Sequence, residues 1–188
     1  MIGKKNIVFG FLFLVLTAGL GPYMIQTHFP TADEAQAKRQ DAASRLQLLA
    51  GANFEDPDTL DKLTAEQIGA ENAATILAIN AHANARAPIE AIKGGPHAHG
   101  NLEALLNIAA GLTLSFIAVG ALFKQLISWL FIAGTLLHSG ILVLVVVFQM
   151  QWAAAVMATG IGPILLLIAL LLIGVAAAIG MRPEVVRD

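Results

Sequence analysis

Four side chains that could carry acid–base or metal chemistry stand at the entrance to a long apolar segment. His97, His99, Glu103 and Asn107 all fall within the stretch GGPHAHGNLEALLN. Because residues four apart share one face of a helix, His99, Glu103 and Asn107 are predicted to form a row. Imidazole and carboxylate groups act as general acids and bases, and both are common ligands of zinc. This row is therefore the first candidate for a functional site.

The segments around this row have the composition of a membrane protein. The 188-residue chain is 57% hydrophobic and 13% charged, whereas soluble domains contain about 25% charged residues. From Ala104 to Met181 only Lys124 carries a full charge. The absence of cysteine excludes thiolate catalysis, and no basic patch points to a nucleic-acid partner. Since an unpaired polar group facing lipid is costly, the row must face a bundle interior, another subunit or a wet cavity.

Four apolar segments are long enough to cross a hydrocarbon core of about 30 Å. They are Asn6–Ile25, Leu102–Phe123, Leu126–Phe148 and a stretch within Trp152–Met181. The first could also be a cleaved signal peptide, but no A-x-A-like site follows it closely, which favours a retained helix. Short hinges at KQ and QMQW predict antiparallel hairpins for the last three. The predicted fold class is all-α, an integral membrane four-helix bundle with a helical-hairpin insert between spans 1 and 2.

The domain boundaries follow from these spans. We predict transmembrane helix 1 over 1–27, an extracytoplasmic helical insert over 28–100, transmembrane helices 2–4 over 101–181 and a cytoplasmic tail over 182–188. Within the insert, TADE (Thr31–Glu34) and TAEQ (Thr64–Gln67) have the pattern of capping boxes. They predict one helix to about Ala50, followed by Gly51, and a second to about Ala87, stopped by Pro88.

Basic residues near the ends of the spans predict the orientation. If the N-terminus is cytoplasmic, that side collects Lys4, Lys5, Lys124, Arg182 and Arg187. We therefore expect an inner (cytoplasmic) membrane protein with both termini in the cytoplasm and, in a bacterium, a periplasmic insert.

A fifth candidate, His138, lies in the third span. At 1.5 Å per residue, Asn107 lies about 8 Å below Leu102, and His138 lies about 12 Å below the outer surface. Neighbouring spans would bring both into the outer half of the bundle, where the first span adds Tyr23, a residue also typical of an interfacial anchor. We predict catalytic roles for Asn107, Glu103 and His138. Plain interhelical contacts, worth about 1 kcal/mol each, are the alternative.

The histidines also suggest cofactor ligands. Histidine is the usual protein ligand of haem b, so His99 and His138 are predicted as cofactor ligands. The HAH sequence predicts a metal site at His97 and His99, to which Glu103 could contribute for zinc or copper.

Two stretches resemble a known family. NLEALLN (Asn101–Asn107) resembles the H-L-E-G-x-x-N-G start of the second helix in hydroxylaminobenzene mutases, and SWLFIAGTLLHSG (Ser128–Gly140) is similar to their W-L-x-x-G-T-x-x-N. The related styrene oxide isomerases are small four-helix membrane proteins. The resemblance covers spans two to four and implies isomerisation of small lipophilic molecules, with Asn107 holding substrate. It places Asn101 at the haem-ligand position and His138 where the family has asparagine.

Two function classes remain open. The first is an enzyme that isomerises an epoxide or N–O compound, with a haem iron or a protonated His138/Glu103 pair as the acid. The second is an accessory subunit of a respiratory or transport complex. A transporter is disfavoured because the inner half of the bundle is nearly uncharged and no inverted repeat is present. Expected partners are the lipid bilayer, a small lipophilic molecule, and further copies of the chain or other subunits, but no nucleic acid.

Overall fold

The computed structural model describes residues 2–56 and 59–186. Helix predominates in these ranges, and they contain no β-strand, which confirms the all-α class. The chain divides into two compact units. The residues up to Pro22 and those from Ala91 onward form the first, called the membrane unit here, and Tyr23–Glu90 forms the second, called the insert unit.

The helices follow one another along the chain with short connections. They are α1 (Lys4–Ala18), α2 (Leu20–Thr27), α3 (Phe29–Gly51), α4 (Ala65–Ile92), α5 (Ala98–Leu114), α6 (Ala121–Thr135), α7 (Ile141–Val146), α8 (Gln151–Ala158) and α9 (Ile161–Gly180). Two π-helical segments interrupt this order. Lys93–His97 joins α4 to α5, and Leu136–Gly140 joins α6 to α7.

Within the described ranges, three stretches of helix are long and apolar enough to cross a membrane. They are Lys4–Thr27, Ala121–Val146 and Ile161–Gly180. The predicted second span corresponds to α5, whose 17 residues end at Leu114. At 1.5 Å per residue α5 extends about 26 Å, which is short of a core of about 30 Å. The chain therefore has the helices of a membrane protein, while the four-helix membrane bundle stays a prediction.

The hinge after α5 lies earlier than predicted. Ser115–Gly120 forms the turn, and Lys124 and Gln125, the predicted hinge, lie inside α6, with Lys124 buried. The prediction was wrong because SFIAVG is as apolar as the spans around it.

Backbone pairing explains why so apolar a hinge is tolerated. The Ala118 N–H donates to the Gly180 carbonyl (2.7 Å), and the Arg182 N–H donates to the Phe116 carbonyl (2.8 Å). Turn backbone in an apolar setting needs such partners, because lipid supplies none. The segment that follows α9 therefore completes the hinge between α5 and α6.

α1 and α5 run antiparallel at very short range. A Cβ on Gly3 would lie 2.0 Å from the Gly111 carbonyl oxygen, and one on Gly10 would lie 2.6 Å from that of Ala104. Small residues allow this backbone approach between membrane helices. Gly111 is thus used for a contact inside the chain, and association between copies stays a prediction.

The apolar core of the membrane unit is built from α5, α6, α9 and the hinge. Its buried members are Ala110, Leu114, Ile117, Ile127, Phe131, Leu166, Ala169 and Ala176. This cluster holds α9 against α6, on the face of α6 that continues toward His138.

The insert unit contains the predicted helical hairpin. Thr75 Oγ1 of α4 donates to the Ala42 carbonyl of α3 (3.3 Å), and Arg45 pairs with Glu71 at 2.7 Å. The capping box at Thr64 is confirmed. The Thr64 N–H donates to Gln67 Oε1 (2.8 Å), and the Gln67 N–H donates to Thr64 Oγ1 (3.2 Å).

Two predicted boundaries of this hairpin were wrong. α3 begins at Phe29, because Pro30 suits a first helical turn, so Thr31 lies inside the helix and does not cap it. Pro88 does not stop α4, which continues to Ile92 at the expense of one backbone hydrogen bond. The chain instead kinks at Gly95, whose φ of −97° and ψ of −110° are not helical.

Candidate functional site

His138 and Glu103 form the centre of the candidate site. Nδ1 of His138 lies 2.5 Å from Oε1 of Glu103. Their side chains are 20% and 5% exposed, respectively. With the glutamate ionised, the imidazole N–H donates and the carboxylate accepts in a charge-assisted hydrogen bond. The prediction that polar residues of these two segments meet is therefore confirmed at Glu103 and His138.

His99 extends this pair toward the surface. It lies one turn before Glu103 on α5 and is exposed. Its ring stands edge-on to that of His138, with centroids 5.2 Å apart and an interplanar angle of 65°. One potential ligand atom from each of His99, Glu103 and His138 lies within 4.8 Å of the others. The cluster thus has a buried end at the carboxylate and an open end at His99.

The local backbone around His138 is unusual. His138 belongs to the π-helical segment Leu136–Gly140, and such segments occur frequently at functional sites. Gly162 of α9 lies against this turn, where a Cβ would stand 2.5 Å from the His138 backbone nitrogen. Close contact with α9 therefore fixes the position of the His138 backbone.

Glu103 keeps one oxygen without a partner. Its Oε2 is buried, and no hydrogen-bond partner for it occurs among residues 2–56 and 59–186. The hydroxyl of Ser139, next to His138, is in the same situation within those ranges. Such groups cost stability, and each one in a native structure calls for an explanation. A ligand seated at the cluster would supply the missing partner for the carboxylate.

Asn107 belongs to a second polar layer, one turn further along α5. Its amide nitrogen donates to the Glu103 carbonyl (3.0 Å) and to Thr135 Oγ1 (2.9 Å), and its Oδ1 accepts from Asn6 Nδ2 (3.1 Å). Asn6 also donates to the Ser128 carbonyl (3.0 Å) and accepts from the Ser128 hydroxyl. All four side chains are 0% exposed. Asn107 therefore ties α5 to α1 and α6, and its contact with a substrate stays a prediction.

His97 does not join the cluster. The His97 Nδ1 lies 2.9 Å from the Thr17 carbonyl oxygen, to which its N–H donates. The metal pair predicted at His97 and His99 is therefore not brought together, and His99 lies with Glu103 and His138 instead. Tyr23 packs edge-on against His28, with ring centroids 5.7 Å apart.

Sequence reasoning missed three members of the Asn107 layer. Asn6 marked only the start of the first span, and neither Ser128 nor Thr135 was singled out as a partner. A signal for the last two does exist. They lie seven residues apart, a spacing that repeats one face of a helix, and that face also leads to His138.

The positions of the possible ligand atoms can be compared with those that the predicted haem would need. Asn101, at the family's ligand position, accepts a hydrogen bond from Thr17 Oγ1 at 2.8 Å. Two grooves on the membrane unit, one lined by Leu106 and Phe131 and the other by Lys5 and Trp129, do not include His99 or His138. Two imidazoles and a carboxylate crowded together suit a small ion better than a porphyrin iron, which takes axial ligands.

The chain was compared with protein-family models, curated proteins and solved structures. No family model, curated protein or solved structure matches this chain. The resemblance to the membrane isomerases therefore stays a prediction.

Proposed function

We propose that this membrane protein is an isomerase that rearranges a small lipophilic epoxide or N–O compound by acid catalysis at Glu103 and His138. The observation that carries the proposal is the 2.5 Å contact between His138 Nδ1 and Glu103 Oε1 in a largely buried setting. An ionisable pair beside membrane-spanning helices marks a functional site by default. The substrate class comes from the resemblance.

The pair would act by lending one proton. In its acid form the pair carries one proton more than a neutral imidazole beside an ionised carboxylate. The pair can donate this additional proton to the substrate oxygen. The weakened C–O bond of an epoxide then breaks, a neighbouring hydrogen or carbon group shifts, and the oxygen returns the proton as the carbonyl forms. The apolar surroundings exclude water and so favour rearrangement over hydrolysis. Nothing is consumed, as an isomerisation requires.

Asn107 supports this chemistry from the layer next to the pair. Its side chain donates to the Glu103 carbonyl and to Thr135 Oγ1, so it holds the backbone of α5 and the end of α6 in one register. Haem b stays a prediction of the resemblance, and we assign no step to it. A Soret band in the purified protein that is lost on His99→Ala would support a haem.

An activity assay on purified protein in lipid nanodiscs tests the proposal. It measures turnover of an aryl epoxide and of an arylhydroxylamine. Because general acid catalysis contributes about 10²- to 10⁴-fold, Glu103→Gln should lower kcat/KM by about 100-fold or more. Glu66→Gln, the same change at an exposed position of α4, is the matched control and should keep full activity. An inactive wild-type protein, or a fully active Glu103→Gln variant, would overturn the assignment.

The accessory-subunit function is favoured by one observation. The layer formed by Asn6, Asn107, Ser128 and Thr135 is buried and fully paired within the chain, as interhelical contacts are. If His138 and Glu103 also serve only as contacts between helices, His138→Ala should weaken assembly with partner subunits and should change no enzymatic turnover. Co-purification of the tagged full-length protein from its native membrane separates the two functions.

The placement in the membrane is also a proposal. Lys5 donates to Gln125 Oε1 and lies 4.2 Å from the centroid of the Trp129 ring, so the start of α1 and the first turns of α6 share one end. Arg182 joins the hinge at the end of α5. By the positive-inside rule this end faces the cytoplasm. We therefore propose that both termini are cytoplasmic and that the membrane is the inner membrane.

A further inference from the structure

We propose that His99, Glu103 and His138 bind one divalent transition-metal ion of the zinc type. The inference rests on the proposed function, because it names the cofactor of the same site. Potential ligand atoms of the three residues lie within 4.8 Å of one another. Two imidazoles with one carboxylate form a recurrent catalytic zinc set, and the same donors bind other first-row divalent metals.

The buried carboxylate supplies an independent reason. Glu103 is 4% exposed, and its Oε2 has no partner among the described residues. A carboxylate that only oriented His138 would need one oxygen, and its second oxygen would normally be paired with another donor or with water. Here the second oxygen is shielded as well, so the site provides a desolvated negative charge that a cation would neutralise.

The three side chains must rotate to hold the ion, because their ligand atoms lie up to 4.8 Å apart. Zinc takes nitrogen and oxygen donors at about 2.0–2.2 Å, so neighbouring donors in a tetrahedral site lie roughly 3.3 Å apart. Nδ1 of His138 and Oε1 of Glu103 are closer than this, at 2.5 Å. The ion would take the place of the proton between them, and rotation of the two side chains gives the remaining distance. The exposed ring of His99 gives the ion a route of entry.

A metal held by three protein donors would replace the shared proton as the acid of the site. The fourth position stays open for an oxygen of the substrate, which the ion would polarise as a Lewis acid.

The test measures metal on the full-length protein rather than activity. The protein is purified in detergent with a tag that contains no histidine, stripped with a chelator, and titrated separately with Zn²⁺ and with Co²⁺. Bound metal is counted by mass spectrometry after gel filtration, and Co²⁺ reports its geometry through its visible absorption bands. We expect one ion per chain and bands typical of a four-coordinate site.

Variants then locate the ion. Glu103→Gln, His99→Ala and His138→Ala should each weaken Zn²⁺ binding by more than about 100-fold, because even changes outside the ligand shell cost about 10- to 100-fold. Two matched controls remove a histidine elsewhere: His97→Ala in the membrane unit and His82→Ala in the insert unit. Both variants should keep the ion. A Zn²⁺-dependent rise in the melting temperature of the unaltered protein gives a second readout that does not depend on any variant. The same rise should be absent in folded Glu103→Gln protein.

The outcomes separate this inference from the proposed function. Wild-type protein that binds no ion, or Glu103→Gln protein that binds Zn²⁺ as tightly as wild type, overturns the metal site. If Glu103→Gln nevertheless abolishes turnover, the acid–base function survives without it. If the ion binds as expected but no substrate turns over, the metal site stands and the isomerase proposal fails.

Discussion

The hydrogen bond between Asn6 and Asn107 should couple the stabilities of α1 and α5 in a measurable way. Asn107→Ala removes three hydrogen bonds of the Asn107 side chain, those with the Glu103 carbonyl, Thr135 and Asn6. Asn6→Ala removes the bond to Asn107 and the two with Ser128. The two variants therefore share one interaction and differ in the rest.

The expected magnitude follows from these counts. Hydrogen bonds between membrane helices average about 0.6 kcal/mol and reach about 1.7 kcal/mol. Asn107 makes two bonds to other helices and Asn6 makes three. Asn107→Ala should thus lower the free energy of unfolding by about 1 to 3 kcal/mol, and Asn6→Ala by about 2 to 5 kcal/mol. Because the shared bond can be lost only once, the double variant should cost less than the sum of the two by about 0.6 to 1.7 kcal/mol.

A double-mutant cycle on the full-length protein measures this coupling. The four proteins are unfolded in mixed micelles by increasing the fraction of a denaturing detergent, and helix content is followed by circular dichroism. Asn72→Ala, at an exposed position of α4, is the matched control and should change the free energy by no more than about 0.5 kcal/mol. Strictly additive effects of Asn6→Ala and Asn107→Ala would refute the bond and the packing of α1 on α5 that places it.

Two further predictions test the packing and the hairpin. Gly10→Val should destabilise the membrane unit by about 3 kcal/mol or more, because its Cβ would lie 2.6 Å from the Ala104 carbonyl oxygen. Gly174→Val is the control, since Gly174 has open space around it, and it should be tolerated in the same detergent unfolding assay. Thr64→Ala should cost about 1 kcal/mol by removing the bond from the Gln67 N–H, and Thr64→Ser should restore most of it; equal stability of all three proteins would contradict the capping box.

Composition and periodicity were sufficient for the helices but not for their ends. The all-helical class, the α3–α4 hairpin and the cap at Thr64 follow from local patterns that act within one turn of helix. The end of α5 does not, because its hinge is made of apolar residues whose backbone is paired with the segment after α9. A rule that looks for polar residues in turns cannot find a hinge whose partners lie more than 60 residues away.

The depth estimate explains the small error in the site. Rise per residue counted from Leu102 and from Leu126 sets Asn107 within a few ångströms of the depth of His138, whereas the structure sets Asn107 beside Thr135 and Glu103 beside His138. The two patterns differ by about one turn. Depth estimated from rise per residue therefore found the right pair of helices and missed the register between them.

Hydrogen-bond satisfaction separates the two polar layers better than polarity does. Asn107 looked like a site residue because an amide in a membrane segment is costly, yet its groups are paired with protein partners. Glu103 is also buried, but its Oε2 has no partner among the residues that the structure describes. A fully paired layer lowers the energy of the fold and gains nothing from a ligand, whereas the half-paired carboxylate costs stability that a bound cation would offset. The paired layer next to it holds α1, α5 and α6 in register, so the chain can keep the half-paired carboxylate in place.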